Sequence, residues 1–156
     1  MTKADILTTD AQADGVAGLG DTLTYTLVIE NVGNTTALDA NFSDTPDLNT
    51  TLVAGSVVVS GATPATVTAG NGSGDTSVGV AIPALGGGGE RVTISFRVRI
   101  RDSVPEGITQ VANQAALTCG CPQGTVVSDD PATAAQGDPT VTPLRRTEAP
   151  SIRATK

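Results

Sequence analysis

Arg91-Val92-Thr93-Ile94-Ser95-Phe96-Arg97-Val98-Arg99-Ile100-Arg101 alternates polar and apolar side chains without a break. A strand turns successive side chains to opposite faces, so Val92, Ile94, Phe96, Val98 and Ile100 share one face while Arg97, Arg99 and Arg101 share the other. The stretch reads as a half-buried strand whose arginine stripe is a solvated face rather than a binding site. Outward from it the same period recurs, interrupted at short intervals by Gly, Pro and Asn clusters. Strands are expected near 2–8, 22–31, 37–44, 51–60, 76–82, 91–101 and 108–118, with weaker ones near 65–69 and 124–128. Asn31-Val32-Gly33-Asn34 and the Gly86 to Gly89 run read as turns, and AGNGSGDTS at 69–77 reads as a hairpin tip. Many short strands, regular turn signals and no helix longer than a turn make an all-β sandwich.

Composition narrows the function. The 156 residues suffice for one domain with a core, or one domain plus an arm. Nine Lys and Arg against 16 Asp and Glu leave a net charge of -7, which argues against nucleic acid, since a phosphate-binding surface needs clustered cations. Tyr25, Phe42 and Phe96 are the only aromatic residues, so a stacking surface for sugars is missing. The chain has no His and therefore lacks the usual base for a Ser or Cys nucleophile; the reading is non-enzymatic. No apolar run is long enough to span a bilayer. Met1-Thr2-Lys3 leads almost directly into a strand with no secretory signal, so either a signal has been removed or the chain is a segment of something longer.

One stretch specifies chemistry by its spacing. In Asp10-Ala-Gln12-Ala-Asp14-Gly15-Val16-Ala-Gly18-Leu-Gly20-Asp21, the first, third, fifth and twelfth positions of a calcium loop fall on Asp10, Gln12, Asp14 and Asp21. Gly15 takes the sharp-turn position and Val16 offers its carbonyl, so Ca2+ is the expected ion; the bland alternative is a Gly/Asp-rich turn without metal. A second, weaker candidate is Asp129 and Asp130 with Asp138, where crowded carboxylates would need a cation unless the loop is merely solvated. Cys119-Gly120-Cys121 is too small a set for structural zinc and reads as a tight disulfide across one residue, with free thiols the alternative.

The segments GDTLTYTLVIENVGNTTALDANFSDTPD, GSVVVS, ISFRVRIRDSVPEGITQVANQA and SDDPAT...GDPTVTP occur in this order. Together they resemble the conserved repeat domain of bacterial and archaeal surface proteins known as domain of unknown function eleven, over residues 2 to 143. The resemblance implies an immunoglobulin-like sandwich, used in tandem arrays on secreted or cell-surface proteins, with no reaction on a substrate. It also suggests a self-directed reaction. Surface sandwiches such as collagen-adhesin and pilin domains can join a Lys of the first strand to an Asn of a late one, with a buried acid between them. Lys3, Asn113 and Asp44 have the required distribution, with Asp39 and Glu90 as alternative acids. The bland reading makes Lys3 a solvent-facing edge residue and Asn113 a strand-end amide.

Beyond 1–143 the chain continues LRRTEAPSIRATK, too poor in apolar residues for a domain, and Ala154-Thr155-Lys156 echoes the start Met1-Thr2-Lys3. Residues 144–156 are therefore read as an extended C-terminal arm, either a linker to the next repeat or a strand donated to a neighbouring subunit, with Ile152 as buried anchor and Ala154 beside it. The expected partners are identical subunits or adjacent repeats forming a homopolymer. The whole reads as an extracellular building block of a filament, fibre or repetitive surface stalk, and alternatively as an adhesin module that binds a surface ligand.

Overall fold

A computed structural model describes residues 1–61, 64–120 and 124–145. The strands are β1 (Thr2–Thr9), β2 (Thr22–Asn31), β3 (Ala37–Asp44), β4 (Thr50–Leu52), β5 (Val58–Gly61), β6 (Thr66–Ala69), β7 (Val78–Leu85), β8 (Glu90–Ile100), β9 (Gln110–Asn113), β10 (Ala115–Thr118), β11 (Thr125–Val127) and β12 (Thr140–Pro143). One sheet runs β1-β2-β8-β4, with β5 also paired to β8; the other runs β11-β10-β3-β7-β6; β12 and β9 form a third, two-stranded ladder. All the ladders are antiparallel, and the described residues contain no helix. The fold is an all-β, immunoglobulin-like sandwich.

Period two explains the core. Leu23, Tyr25, Leu27 and Ile29 of β2 and Val92, Ile94, Phe96, Val98 and Ile100 of β8 face inward, against Ala40, Phe42, Val78, Val80, Ile82, Leu85, Ala115 and Leu117 of the second sheet. Each large side chain so buried contributes about 1.5–3 kcal/mol. Tyr25 and Phe96 are cross-strand partners whose ring centroids lie 5.5 Å apart. Arg97, Arg99 and Arg101 are exposed on the opposite side, where Arg99 pairs with Asp102 at 2.6 Å.

Three expected elements change shape. The single strand anticipated over 51–60 is two, because the chain turns at Val53–Ser56 with Gly55 at φ 72. Both halves stay on β8, and the Ser56 hydroxyl accepts the Arg97 N–H at 3.0 Å across the gap. The strand anticipated over 108–118 breaks at Gln114, so that Asn113 pairs with Thr140 while Ala115 pairs with Asp44 in the other sheet. β12 is an additional strand, and the sandwich extends past residue 143: Leu144 is in the core and the Arg145 N–H donates to the Ala17 carbonyl. The arm expected over 144–156 therefore begins no earlier than 146, outside the described residues.

β12 also fixes where the chain enters and leaves. Thr140 hydrogen-bonds the Lys3 carbonyl, Thr142 bonds the Asp5 carboxylate, and Arg145 bridges in parallel to Gly18, so β12 runs in the same direction as β1. Met1 lies beside Asp129 at the start of β1, whereas Arg145 lies beside the loop that follows its end. Entry and exit are separated by the length of β1, about 25 Å at ~3.3 Å per residue.

Candidate functional site

β1 alternates as a half-buried strand should, but its first inward position is Lys3, fully buried opposite Leu27 of β2. The ammonium Nζ lies 2.5 Å from Asp44 Oδ2, 4.5 Å from the Tyr25 ring centroid and 5.5 Å from that of Phe96. Asp44 ends β3 in the facing sheet, and Asn113 ends β9 at the point where the chain changes sheets; both are 2 % exposed. First strand, middle strand and late strand thus deliver one side chain each to a single apolar pocket. The alternative acids Asp39 and Glu90 are exposed.

The pocket leaves polar atoms unsatisfied. Among the described residues the buried side-chain atoms without a hydrogen-bond partner are Asp44 Oδ1, Asn113 Oδ1 and Nδ2, and the Tyr25 hydroxyl, all belonging to this group. Each such atom costs about 1–3 kcal/mol. Native interiors rarely tolerate them without a chemical reason.

Burial governs the protonation states. Desolvation lowers the Lys3 pKa to about 8, with the charge and hydrogen bond of Asp44 acting against it. Desolvation also raises Asp44, while Lys3 and the nearby Asn113 amide oppose that rise, the amide without reaching hydrogen-bond geometry. Both shifts move the pair toward neutral amine and neutral carboxylic acid. The Tyr25 hydroxyl is pushed upward, chiefly by burial; Thr142 lies near enough to oppose this, but its hydroxyl bonds Asp5 Oδ2 at 2.7 Å. A neutral amine against a carboxyl able to carry protons, with a carboxamide near the same carboxyl, supplies the groups that acyl transfer needs.

In the loop of residues 10–21 each carboxylate accepts main-chain N–H groups. Asp10 accepts the N–H groups of Gln12 and Gly15, Asp14 accepts that of Val16 and pairs with Arg145 at 3.1 Å, and the buried Asp21 accepts those of Ala11 and Gly18 at 2.8 Å each. Gln12 donates to the Leu19 carbonyl. The second acidic group behaves alike: Asp129 accepts Gly137 N–H, Asp130 accepts Ala132 N–H, and Asp138 accepts Asp130 N–H and the Thr133 hydroxyl. No group of three or more acidic, Cys or His side chains among the described residues is placed to hold a metal ion. The carboxylates of both groups accept main-chain N–H bonds that close their turns. Cys119 is disulfide-bonded, and Cys121 lies outside the described residues, as do Ile152 and Ala154.

No protein-family profile matches the chain, and no curated protein matches it in sequence. Solved structures do resemble it. The collagen-binding domain of a Staphylococcus aureus adhesin aligns with TM-score 0.52 and 13 % identity over 94 % of this chain and 98 % of that one. Domains D2 and D3 of the major pilin SpaD from Corynebacterium diphtheriae align with TM-score 0.51 and 18 % identity over 82 % of this chain, which spans half of that fragment. BcpA, the major pilin subunit of Bacillus cereus, aligns with TM-score 0.53 and 10 % identity over 91 % of this chain and 40 % of its own. At these identities the likeness is one of fold.

Proposed function

We propose that this chain is a non-enzymatic building block of an extracellular surface assembly whose sandwich is locked by an amide bond between Lys3 and Asn113. The observation that carries the reading is the buried Lys3, Asp44 and Asn113 group with its unpartnered atoms. Pilin and adhesin folds among the structural neighbours favour a surface role.

In the reaction, Asp44 takes a proton from the Lys3 ammonium. The neutral amine attacks Cγ of Asn113, the new C–N bond forms, and a second amine proton passes through Asp44 to the departing Nδ2. The bond from Cγ to Nδ2 breaks and ammonia leaves, with no oxidant or cofactor required. The product removes the charge of Lys3 and consumes one of the unsatisfied amides. Closing a loop of about 110 residues stabilises the fold by roughly 5 kcal/mol on loop-entropy grounds.

Intact mass tests this. Beyond the two hydrogens lost to the Cys119 disulfide, the folded protein should be lighter than its sequence by one ammonia, and Lys3→Ala or Asp44→Ala should each lack that ammonia loss. A folded wild-type protein without the ammonia loss would exclude the crosslink. Polymerisation is assigned to the arm, with Ile152 anchoring a strand donated to the neighbouring subunit and Ala154 beside it. Deleting residues 146–156 should leave a folded monomer that forms no fibres under the electron microscope; regular fibres from the shortened chain would sink the donated-strand route.

A further inference from the structure

Lys3 and Asn113 sit on strands that share no ladder: β1 pairs with β2, and β9 pairs with β12. One residue connects them. Thr140, 1 % exposed, is the main-chain partner of Asn113, and its hydroxyl donates to the Lys3 carbonyl at 2.8 Å. On the same strand edge the Lys3 N–H donates to the Asp129 carbonyl at 2.9 Å, so both main-chain groups of the lysine are held. The Asn113 side chain has no hydrogen bond of its own, and its Cγ is placed by the register with Thr140.

We propose that Thr140 is a positioning residue for the crosslink, its hydroxyl setting the distance of approach between the Lys3 amine and the Asn113 carboxamide. This rests on the crosslink reading above. The argument is geometric: two reacting groups on unpaired strands need a third element to fix their separation, and a misplacement of about 1 Å can slow such a reaction by roughly a hundredfold. Thr142 provides the internal comparison, since it ties the same two elements through Asp5 without touching Lys3.

The test follows the loss of ammonia mass with time in the full chain made by cell-free synthesis, with folding monitored by circular dichroism. Thr140→Val, which keeps the shape and removes the hydroxyl, should slow crosslinking at least tenfold, an order-of-magnitude expectation. Thr140→Ser should restore a rate near that of wild type. The pH profile should keep its shape in both variants, because the pairing of Lys3 with Asp44 is untouched. Thr142→Val should crosslink close to the wild-type rate. A wild-type rate in Thr140→Val overturns the proposal, and so does equal slowing in Thr142→Val, which would reduce the effect to a looser seam. Thr140→Ala replaces the valine variant should the latter not fold; if neither folds while Thr140→Ser does, Thr140 acts through stability alone and the proposal fails. Wild-type protein that never loses ammonia removes the crosslink itself, an outcome separate from all of these.

Discussion

Lys3 exchanges its hydration for one carboxylate and two aromatic faces, and the outcome of that exchange depends on pH. In Asn113→Ala the amine has no acyl partner and remains titratable. Its ordinary value is 10.5 and its folded value about 8, so between these the unfolded chain holds a proton that the folded chain has released. Stability must then rise with pH across that window, while below about 8 the full cost of burying the ammonium is present. Asp44 acts with opposite sign above its ordinary 3.8, where the folded chain keeps a proton the unfolded chain has lost. The Tyr25 hydroxyl likewise opposes above its ordinary 10.0. Denaturant midpoints of Asn113→Ala should therefore increase from about pH 8 to about pH 10, and the crosslinked wild type should lack this increase because an amide does not titrate. A flat profile in the variant would mean that Lys3 is better solvated than its burial implies. The buried pair was visible in the sequence only through a resemblance; taken by itself, a lysine at the start of a first strand looks like an edge residue turned to water.

Asp39 shows how one strand element accommodates another. β3 and β7 pair Leu38 with Ala84 and Ala40 with Ile82, which puts Asp39 opposite Pro83. Proline has no N–H for the ladder, and Asp39 opposite it takes φ 52, a conformation that costs an ordinary L-residue about 1–2 kcal/mol. Asp39→Gly should remove much of that strain and raise the denaturant midpoint; an unchanged or lower midpoint would show that this conformation is not strained. The same scale explains what the sequence could and could not reveal. β2 and β8 were legible because apolar residues alternate along both, Leu23, Tyr25, Leu27 and Ile29 on one and Val92, Ile94, Phe96, Val98 and Ile100 on the other, and these point to the core. The change of sheet at Gln114 was hidden because burial keeps alternating through it: Val111, Asn113, Ala115 and Leu117 are all buried, so no break in period marks the jump. β12 was hidden for the opposite reason. Its inward residues are Thr140 and Thr142 and its outward one is Val141, so hydrophobicity points the wrong way; the threonines are buried because they bond Lys3 and Asp5. In the loop of residues 10–21 the sequence showed the carboxylates but not their main-chain partners, since carboxylates spaced for an ion are equally well spaced to cap their own turn.

For the whole molecule, entry at the start of β1 and exit beyond β12 decide how tension would travel. A pull on the two ends reaches Lys3 within three residues of the start and, once the crosslink has formed, passes straight to Asn113. Everything between them is a slack loop that carries no load. With that bond in place only the chain after Asn113 could pay out, so β10, β11 and β12 would act as a short shock absorber while β2 through β8 stayed folded as ballast. Stretched in an optical trap, Lys3→Ala should release roughly 380 Å more contour than wild type, the length of about 110 residues at ~3.5 Å each. Equal contour lengths would show that the force crosses the whole sandwich in both. A thread of such units would lengthen by no more than the chain after Asn113 in each bead although each bead is a thin, tryptophan-free sandwich, because that limit would be set by one covalent rung per bead and not by the depth of its core.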